Sequence, residues 1–187
     1  MIPPEDAELM QRTAAGDERA FEELIERHQS RVIGTIAKML GDASAAEDLA
    51  QQVFIRVWQS APRYVASAKF TTWLLTITRN LVFNETRRRG RAKLVPMENE
   101  DGSPREIRDF GTMEPGHKLE EKELQKAIEE AIAALPEQQR LALILRRYEE
   151  MPYEEIAAVL ETTVPSVKSL LFRAREELRA NLLGGRG

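Results

Sequence analysis

Cysteine is absent from the 187-residue chain, and histidine occurs only twice, as His28 and His117. Without thiols there is no disulfide framework, no thiolate zinc or iron–sulfur site and no cysteine nucleophile. Two histidines so far apart in sequence leave little for a metal site or an imidazole-based relay. A phosphate-cradling glycine loop is missing too, so the sequence argues against an enzyme, a cofactor or a small-molecule substrate. Nowhere do 18 apolar residues run together, so no membrane insertion is expected. The first 30 residues are acidic and lack an apolar core segment, which argues against a signal peptide. Sustained two-residue alternation is lacking, so no sheet is expected. What is present, 42% hydrophobic and 31% charged residues, suits a soluble, folded, cytoplasmic protein.

Charge of one sign is also in small excess, a formal −4 that argues weakly against a nucleic-acid ligand. Its distribution says otherwise. Residues 1–27 hold eight acidic and three basic side chains, whereas residues 79–93 hold six basic side chains and one acidic. A cationic run of that kind suits a polyphosphate partner, because neutralising phosphates releases counterions. A solvated basic helix end accounts for it equally well.

Helical periodicity dominates up to about residue 89. Phe21, Leu24, Ile25, Val32, Ile33, Ile36 and Leu40 recur at three- and four-residue steps behind an Asp17 N-cap, and Gly41 breaks the pattern. Ser44 with Glu47 reads as a capping box for a second helix, whose apolar stripe is Leu49, Val53, Phe54, Val57 and Trp58. After Pro62 and a loop from Tyr64 to Lys69, a third helix carries Trp73, Leu74, Ile77, Leu81 and Val82 into the arginine run. From Leu94 the pattern disappears into a Pro-, Gly- and acid-rich stretch that reads as a flexible linker. Leu119, Leu124, Ile128, Ile132 and Leu135 resume the period, Pro136 separates the next helix, and Leu141, Ile144, Leu145 and Tyr148 form its apolar face. The fold class expected is all-α: two small helical domains, 1–92 and 119–187, joined by a flexible acidic linker, 93–118.

Two stretches carry chemistry. Tyr153–Leu160 reads as a short helix, Glu161–Thr163 as a tight turn, and Pro165 as the first-turn proline of a longer helix. That helix buries Val167, Leu170, Leu171, Ala174 and Leu178 and presents Lys168, Ser169, Phe172 and Arg173. A helix-turn-helix inserts such a face into the major groove, where Lys and Arg suit guanine or phosphate and Phe172 suits a thymine methyl. A helical hairpin docking on a partner helix shares the pattern. In the third helix, Phe70, Thr71, Thr72 and Trp73 precede Arg79, Asn80, Arg87 and Arg88, with Lys69 just before. Aromatics beside cations and amides hold single-stranded nucleic acid; taken singly, Phe70 and Trp73 are more often core than a ligand platform. Neighbouring Glu47 and Asp48 are explained by the dipole of a first helical turn rather than by acid–base catalysis. A stand-alone helix-turn-helix regulator, with the first block as a dimerisation or sensor domain, is one reading at this point.

Three strings decide the resemblance: AEDLAQQVFIRVW (46–58), FTTWLLTITRNLVFNETRRR (70–89) and LPEQQRLALILRRYEEMPYEEIAAVLETTVPSVKSLLFRAREELR (135–179). Together they resemble the bacterial extracytoplasmic-function (ECF) sigma factors of RNA polymerase, in that family's order and spacing. The resemblance implies an alternative sigma factor: a region 2-like domain over 1–92 that docks on the β′ clamp helices and opens the −10 element, and a region 4-like domain over 119–187 that reads the −35 element and meets the β flap. It implies core polymerase contacts at Asp48, Gln51 and Gln52, and capture of a flipped-out base of the non-template strand by the loop Ala66–Phe70. The −10 contacts it implies are Lys69, Phe70, Thr71, Thr72, Trp73, Arg79, Asn80, Arg87 and Arg88. Lys168, Ser169, Phe172 and Arg173 fall on the −35 recognition helix. The acidic linker resembles the connector that threads the polymerase channels, where its charge would mimic nucleic acid. No inhibitory N-terminal region or added C-terminal domain is evident, which implies regulation by an external anti-sigma factor. Primary sigma factors place two tryptophans in the melting helix, whereas here Trp73 is followed by Leu74. With one stacking platform fewer, polymerase carrying this factor is expected to open promoters with several −10 mismatches less readily than matched ones, in open-complex assays on paired templates.

Overall fold

A computed structural model describes residues 5–94 and 117–184, and every regular element among them is helical. The first helix, α1 (Asp6–Ala14), was not anticipated from the sequence; Gly16, at φ 89°, turns the chain out of it. Asp17 then caps α2 (Glu18–Leu40), accepting from the backbone N–H groups of Arg19 and Ala20. Arg12 bonds to the same carboxylate and, with those N–H groups, holds it below the usual range. His28 of α2 is buried with its Nε2 2.9 Å from Asp6, which fastens α1 down; burial pushes the imidazole pKa below its ordinary value, against the pull of the Asp6 carboxylate.

Gly41, left-handed at φ 65°, ends α2. The next helix, α3 (Ala43–Ser60), is capped by Asp42, whose carboxylate accepts from the Ala45 N–H at 3.0 Å. This corrects the expected cap at Ser44: Asp42 directly follows the turn and places an ionised acceptor beneath the first-turn donors, leaving Ser44 inside the helix. A single 3-10 turn, Ala61–Arg63, contains Pro62 and leads through the loop to α4 (Phe70–Leu94).

The second block comprises α5 (His117–Ala133), α6 (Glu137–Arg147), α7 (Tyr153–Leu160) and α8 (Val164–Gly184). Pro136 stands before α6, as its sequence position suggests. Thr163 accepts from the Ser166 N–H at 3.3 Å and so caps α8, with Pro165 in the first turn. Most of the expected linker, residues 95–116, lies outside the described residues.

The two blocks, read from sequence as separate modules, pack on each other. Leu24, Ile36 and Leu74 share one buried apolar cluster with Ile144, Leu145, Ile156 and Leu171. Across the seam α4 lies against α7, and α2 against α5 and α6. Arg140 of α6 donates to the Met39 carbonyl at the end of α2 and to the Leu135 carbonyl, and burial lowers its pKa.

Within the first block, Glu85 of α4 accepts from Arg88 and Arg89, and Arg89 also reaches Asp42 at 3.2 Å, tying α4 to the start of α3. The hydrogen bond from Arg88, then that from Arg89, holds the Glu85 carboxyl down to about 2 from an ordinary 4.5. A depressed carboxylate stabilises the fold above its unfolded pKa and loses that contribution as pH falls through the folded one. Glu85→Gln should therefore cost about 1 kcal/mol at neutral pH, and urea denaturation should show the deficit shrinking as pH drops from 4.5 toward about 2.

Candidate nucleic-acid interface

Three surfaces carry the residues singled out from the sequence. On α3, Asp48, Gln51 and Gln52 are all exposed, while Leu49, Val53, Phe54 and Val57 face the core. Ile55 is 55% exposed beside them, one turn on from Gln51. Trp58, read as part of the buried stripe, is instead at its edge: 37% exposed, with its ring 5.0 Å from Phe21. Spacing alone could have found Ile55, since it falls three and four residues after the two glutamines.

The second surface is the loop before α4 and the helix itself. Ala66, Ser67, Ala68 and Lys69 are exposed, and the Lys69 ammonium lies 2.7 Å from Glu155 of α7. Phe70 turns inward: 4% exposed, its ring contacts His28 at 5.1 Å, Trp73 at 5.8 Å and Tyr64 at 6.2 Å. Trp73 packs edge-on against Tyr64 at 5.0 Å and keeps part of its surface open, as does Thr71. Thr72 is buried, and Leu74 wholly so, which leaves no second stacking face at that position.

Arg79 is the least expected of the set. Only 8% exposed, it donates through NH1 to the Val159 carbonyl of α7 at 2.7 Å and through NH2 to the Asn80 side chain at 2.6 Å. The Glu161 carboxylate is 3.2 Å from the same NH2. Asn80 itself is exposed, as are Arg87 and Arg88; Arg88 is held by Glu85 and Arg87 lies 3.9 Å from Glu137. The candidate −10 set thus divides. Lys69, Asn80, Arg87 and Arg88 face solvent, Thr71 and Trp73 are half-buried, and Phe70, Thr72 and Arg79 offer no surface in this arrangement.

The third surface is α8. Val167, Leu171 and Ala174 are buried, with Leu170 and Leu178 half-buried beside them. Lys168, Ser169 and Arg173 are exposed, and Phe172 is 64% exposed among them. A bare aromatic ring between two cations is a poor solvated surface and a good groove-reading one.

The sequence matches sigma-70 region 2 over residues 24–92 and sigma-70 region 4 over residues 125–178. It is 32% identical over 179 residues to the RNA polymerase sigma-H factor of Pseudomonas aeruginosa, covering 93% of this chain and 92% of the relative. Against the ECF RNA polymerase sigma-E factor of Haemophilus influenzae the identity is 31% over 176 residues, 91% of this chain and 92% of the relative. The chain belongs to the ECF sigma factors. The fold is similar to that of a solved structure, the sigma factor RpoE in complex with the anti-sigma factor NepR from Bartonella quintana, at a TM-score of 0.65 and 23% identity over 87% of this chain and 96% of that one.

In this ECF factor the region 2 match takes in most of α2 and all of α3, and the region 4 match contains the whole turn from α7 into α8. Its family is one of transcription subunits rather than enzymes. Among the described residues no helix is long and apolar enough to cross a membrane. Sequence reasoning missed the residues that join the blocks: Arg31, paired to Glu149 at 2.6 Å; Lys38, over the Tyr148 ring at 4.6 Å; and Glu155 and Glu161. Partners 118 residues apart, as Arg31 and Glu149 are, leave no local pattern. Burial separates the aromatics by role. Phe70→Ala should lower stability by about 3–5 kcal/mol, whereas Phe172→Ala should stay within about 0.5 kcal/mol of the native protein in the same urea titration.

Proposed function

We propose that this alternative sigma factor binds core RNA polymerase in the cytoplasm and directs it to promoters through two separate readings of DNA. The observation that carries the proposal is the outer face of α8, where Phe172 stands 64% exposed between Lys168, Ser169 and Arg173 on a helix whose other side is core. Entering the major groove of a −35 element, that face offers cations to guanine or phosphate and an apolar ring to a thymine methyl. The −10 element is read by the loop before α4 and by α4. There Lys69, Arg87, Arg88 and Asn80 hold the backbone of the non-template strand, and Trp73 supplies a stacking face. Thr71 and Thr72 belong to the same contact, Phe70 supports Trp73 from below, and Arg79 joins once its present partners release it.

Docking on the β′ clamp helices falls to Asp48, Gln51 and Gln52, to which Ile55 and Trp58 add an apolar centre; such a mixed patch fits a partner helix better than solvent. The division of labour follows the two blocks, 1–92 for polymerase and −10 DNA and 119–187 for −35 DNA and the β flap. The solved relative's pairing with an anti-sigma factor supports control of the same kind here.

Run-off transcription with core polymerase on a promoter library tests the reading. Transcripts should depend on this factor and share two promoter elements. Trp73→Ala should lose open complexes while keeping polymerase binding; equal loss of both would mean misfolding. Lys168→Ala and Arg173→Ala should each weaken −35 binding by about 1–3 kcal/mol, seen as lower promoter occupancy. A sequence-specific shift of duplex DNA by the isolated chain as a symmetric dimer would instead support a stand-alone regulator.

A further inference from the structure

At the foot of the loop that leads into α4, a small polar contact is buried among aromatic rings. Asp6, in the first turn of α1, reaches two consecutive residues of α2: its Oδ1 accepts from Arg27 at 3.2 Å, and its Oδ2 lies 2.9 Å from His28 Nε2. A carboxylate only accepts, so the imidazole carries its proton on Nε2 in this contact. His28 is 6% exposed, and its ring meets Phe70, the first residue of α4, at 5.1 Å. Phe70 in turn touches both Tyr64 and Trp73, and those two rings meet edge-on. One line of contacts therefore runs from α1 to the stacking face assigned to Trp73.

Two further observations single this contact out. Anchored by buried Leu9 and Met10, α1 also packs on the 3-10 turn Ala61–Arg63, the segment that delivers the chain to the loop. Packing alone, moreover, does not call for a polar side chain at position 28. A phenyl ring would cover Phe70 without placing a nitrogen in the core, whereas the imidazole leaves Nδ1 buried with no hydrogen-bond partner among the described residues. What the imidazole offers in return is the bond made by Nε2.

We infer that Asp6 and His28 are positioning residues for strand capture: Asp6 orients the imidazole, the imidazole seats Phe70, and Phe70 sets Trp73 and Tyr64 at the angle in which a single-stranded base stacks. The inference rests on the proposed role of Trp73 in −10 reading. It makes α1 part of promoter opening, although that helix stands outside the set assigned to DNA. A stacking ring that its neighbours already fix loses little rotamer freedom when a base arrives, and a loosely held one loses more.

The pair also carries a pH dependence. The charged groups that face His28 are Asp6 from α1 and Arg27 and Arg31 from its own helix, Arg31 being paired in turn with Glu149; α4 presents the uncharged Phe70 ring. Burial, helped by the two arginines, outweighs Asp6 and moves the imidazole below its ordinary 6.5. The Tyr64 hydroxyl, whose pKa burial and then Asp6 raise from 10.0, stays neutral throughout. With a folded pKa below the unfolded one, the stabilising contribution of His28 is complete above 6.5 and is lost as pH falls from there through the folded value. Protonation also places a second N–H, at Nδ1, where no acceptor among the described residues meets it.

Open complexes formed by the full chain with core polymerase on a matched promoter, read as permanganate reactivity of unpaired thymines, test the role. His28→Ala and Asp6→Ala should each lower opening about tenfold and leave polymerase binding unchanged. Asp6→Asn, whose side-chain carbonyl still accepts from Nε2, should restore it. His28→Phe keeps a ring against Phe70 without the bond to Asp6 and should fall between; adding Asp6→Ala to it should cost nothing more. The parent's advantage over His28→Phe should shrink as pH is lowered from about 8 to about 6. Ile36→Ala, at a wholly buried position two turns further along α2, controls for plain loss of stability and should retain opening. Loss of opening by Ile36→Ala as deep as that of His28→Ala, or no loss in either alanine variant of the pair, would overturn the inference.

The seat itself is read in the free chain. The sequence has two tryptophans, so on a Trp58→Phe background Trp73 alone emits. Its emission maximum and its quenching by acrylamide should change in His28→Ala and in Asp6→Ala but not in Ile36→Ala. Unchanged Trp73 emission in the variants of the pair would overturn the seat even where promoters open. A parent that opens no promoter would overturn the −10 reading and the role of the pair in capture with it, while the emission still decides whether Asp6 and His28 set the ring.

Discussion

One helix has to be covered on more than one side, and much of the structure follows from that. Leu81, Val82 and Phe83 of α4 are consecutive and all buried, as are Leu74 and Leu75 about two turns earlier. Three neighbours on a helix sweep roughly 200° of its circumference, more than a single packing surface covers. The neighbours α2 and α3 take one part of this arc, and α7 of the second block also lies against the helix. Burying the remaining apolar surface is what brings the two blocks together. The ion pairs at the seam are weak individually and set the register rather than the affinity. Arg79, 8% exposed, is the exception: a guanidinium that deep holds its place only because a carbonyl, an amide and a carboxylate all meet it.

Local features of the fold were legible in the sequence because their causes are local. Asp17, Gly41, Pro136 and Pro165 mark helix ends through side-chain acceptors, left-handed backbone or a missing donor, and each stands at such an end here. The span Tyr153–Leu160 was read to the residue. The cap at Ser44 was misplaced because the pattern of a capping box does not reveal that Gly41 has already turned the chain and left Asp42 in the capping position. The short α1 was missed because nine residues carry too little periodicity to stand out from a loop. The candidate site divides the same way. Exposure of Lys168, Ser169, Phe172 and Arg173 follows from the buried stripe on the same helix, so period alone locates it. The burial of Arg79 and Phe70 depends on a partner helix and on His28, Tyr64 and Trp73, which no spacing within α4 contains.

The net charge of −4 describes this molecule poorly. It sums a first block that meets its partner with cations and a second that meets it with acids. Part of the arginine run is already engaged within its own helix, where Glu85 binds Arg88 and Arg89. A polyanion approaching α4 meets a surface whose positive charge is largely compensated, and mild overall acidity adds a small repulsion at long range. The field such a ligand meets is set by how each cation is paired and not by the total charge of the chain.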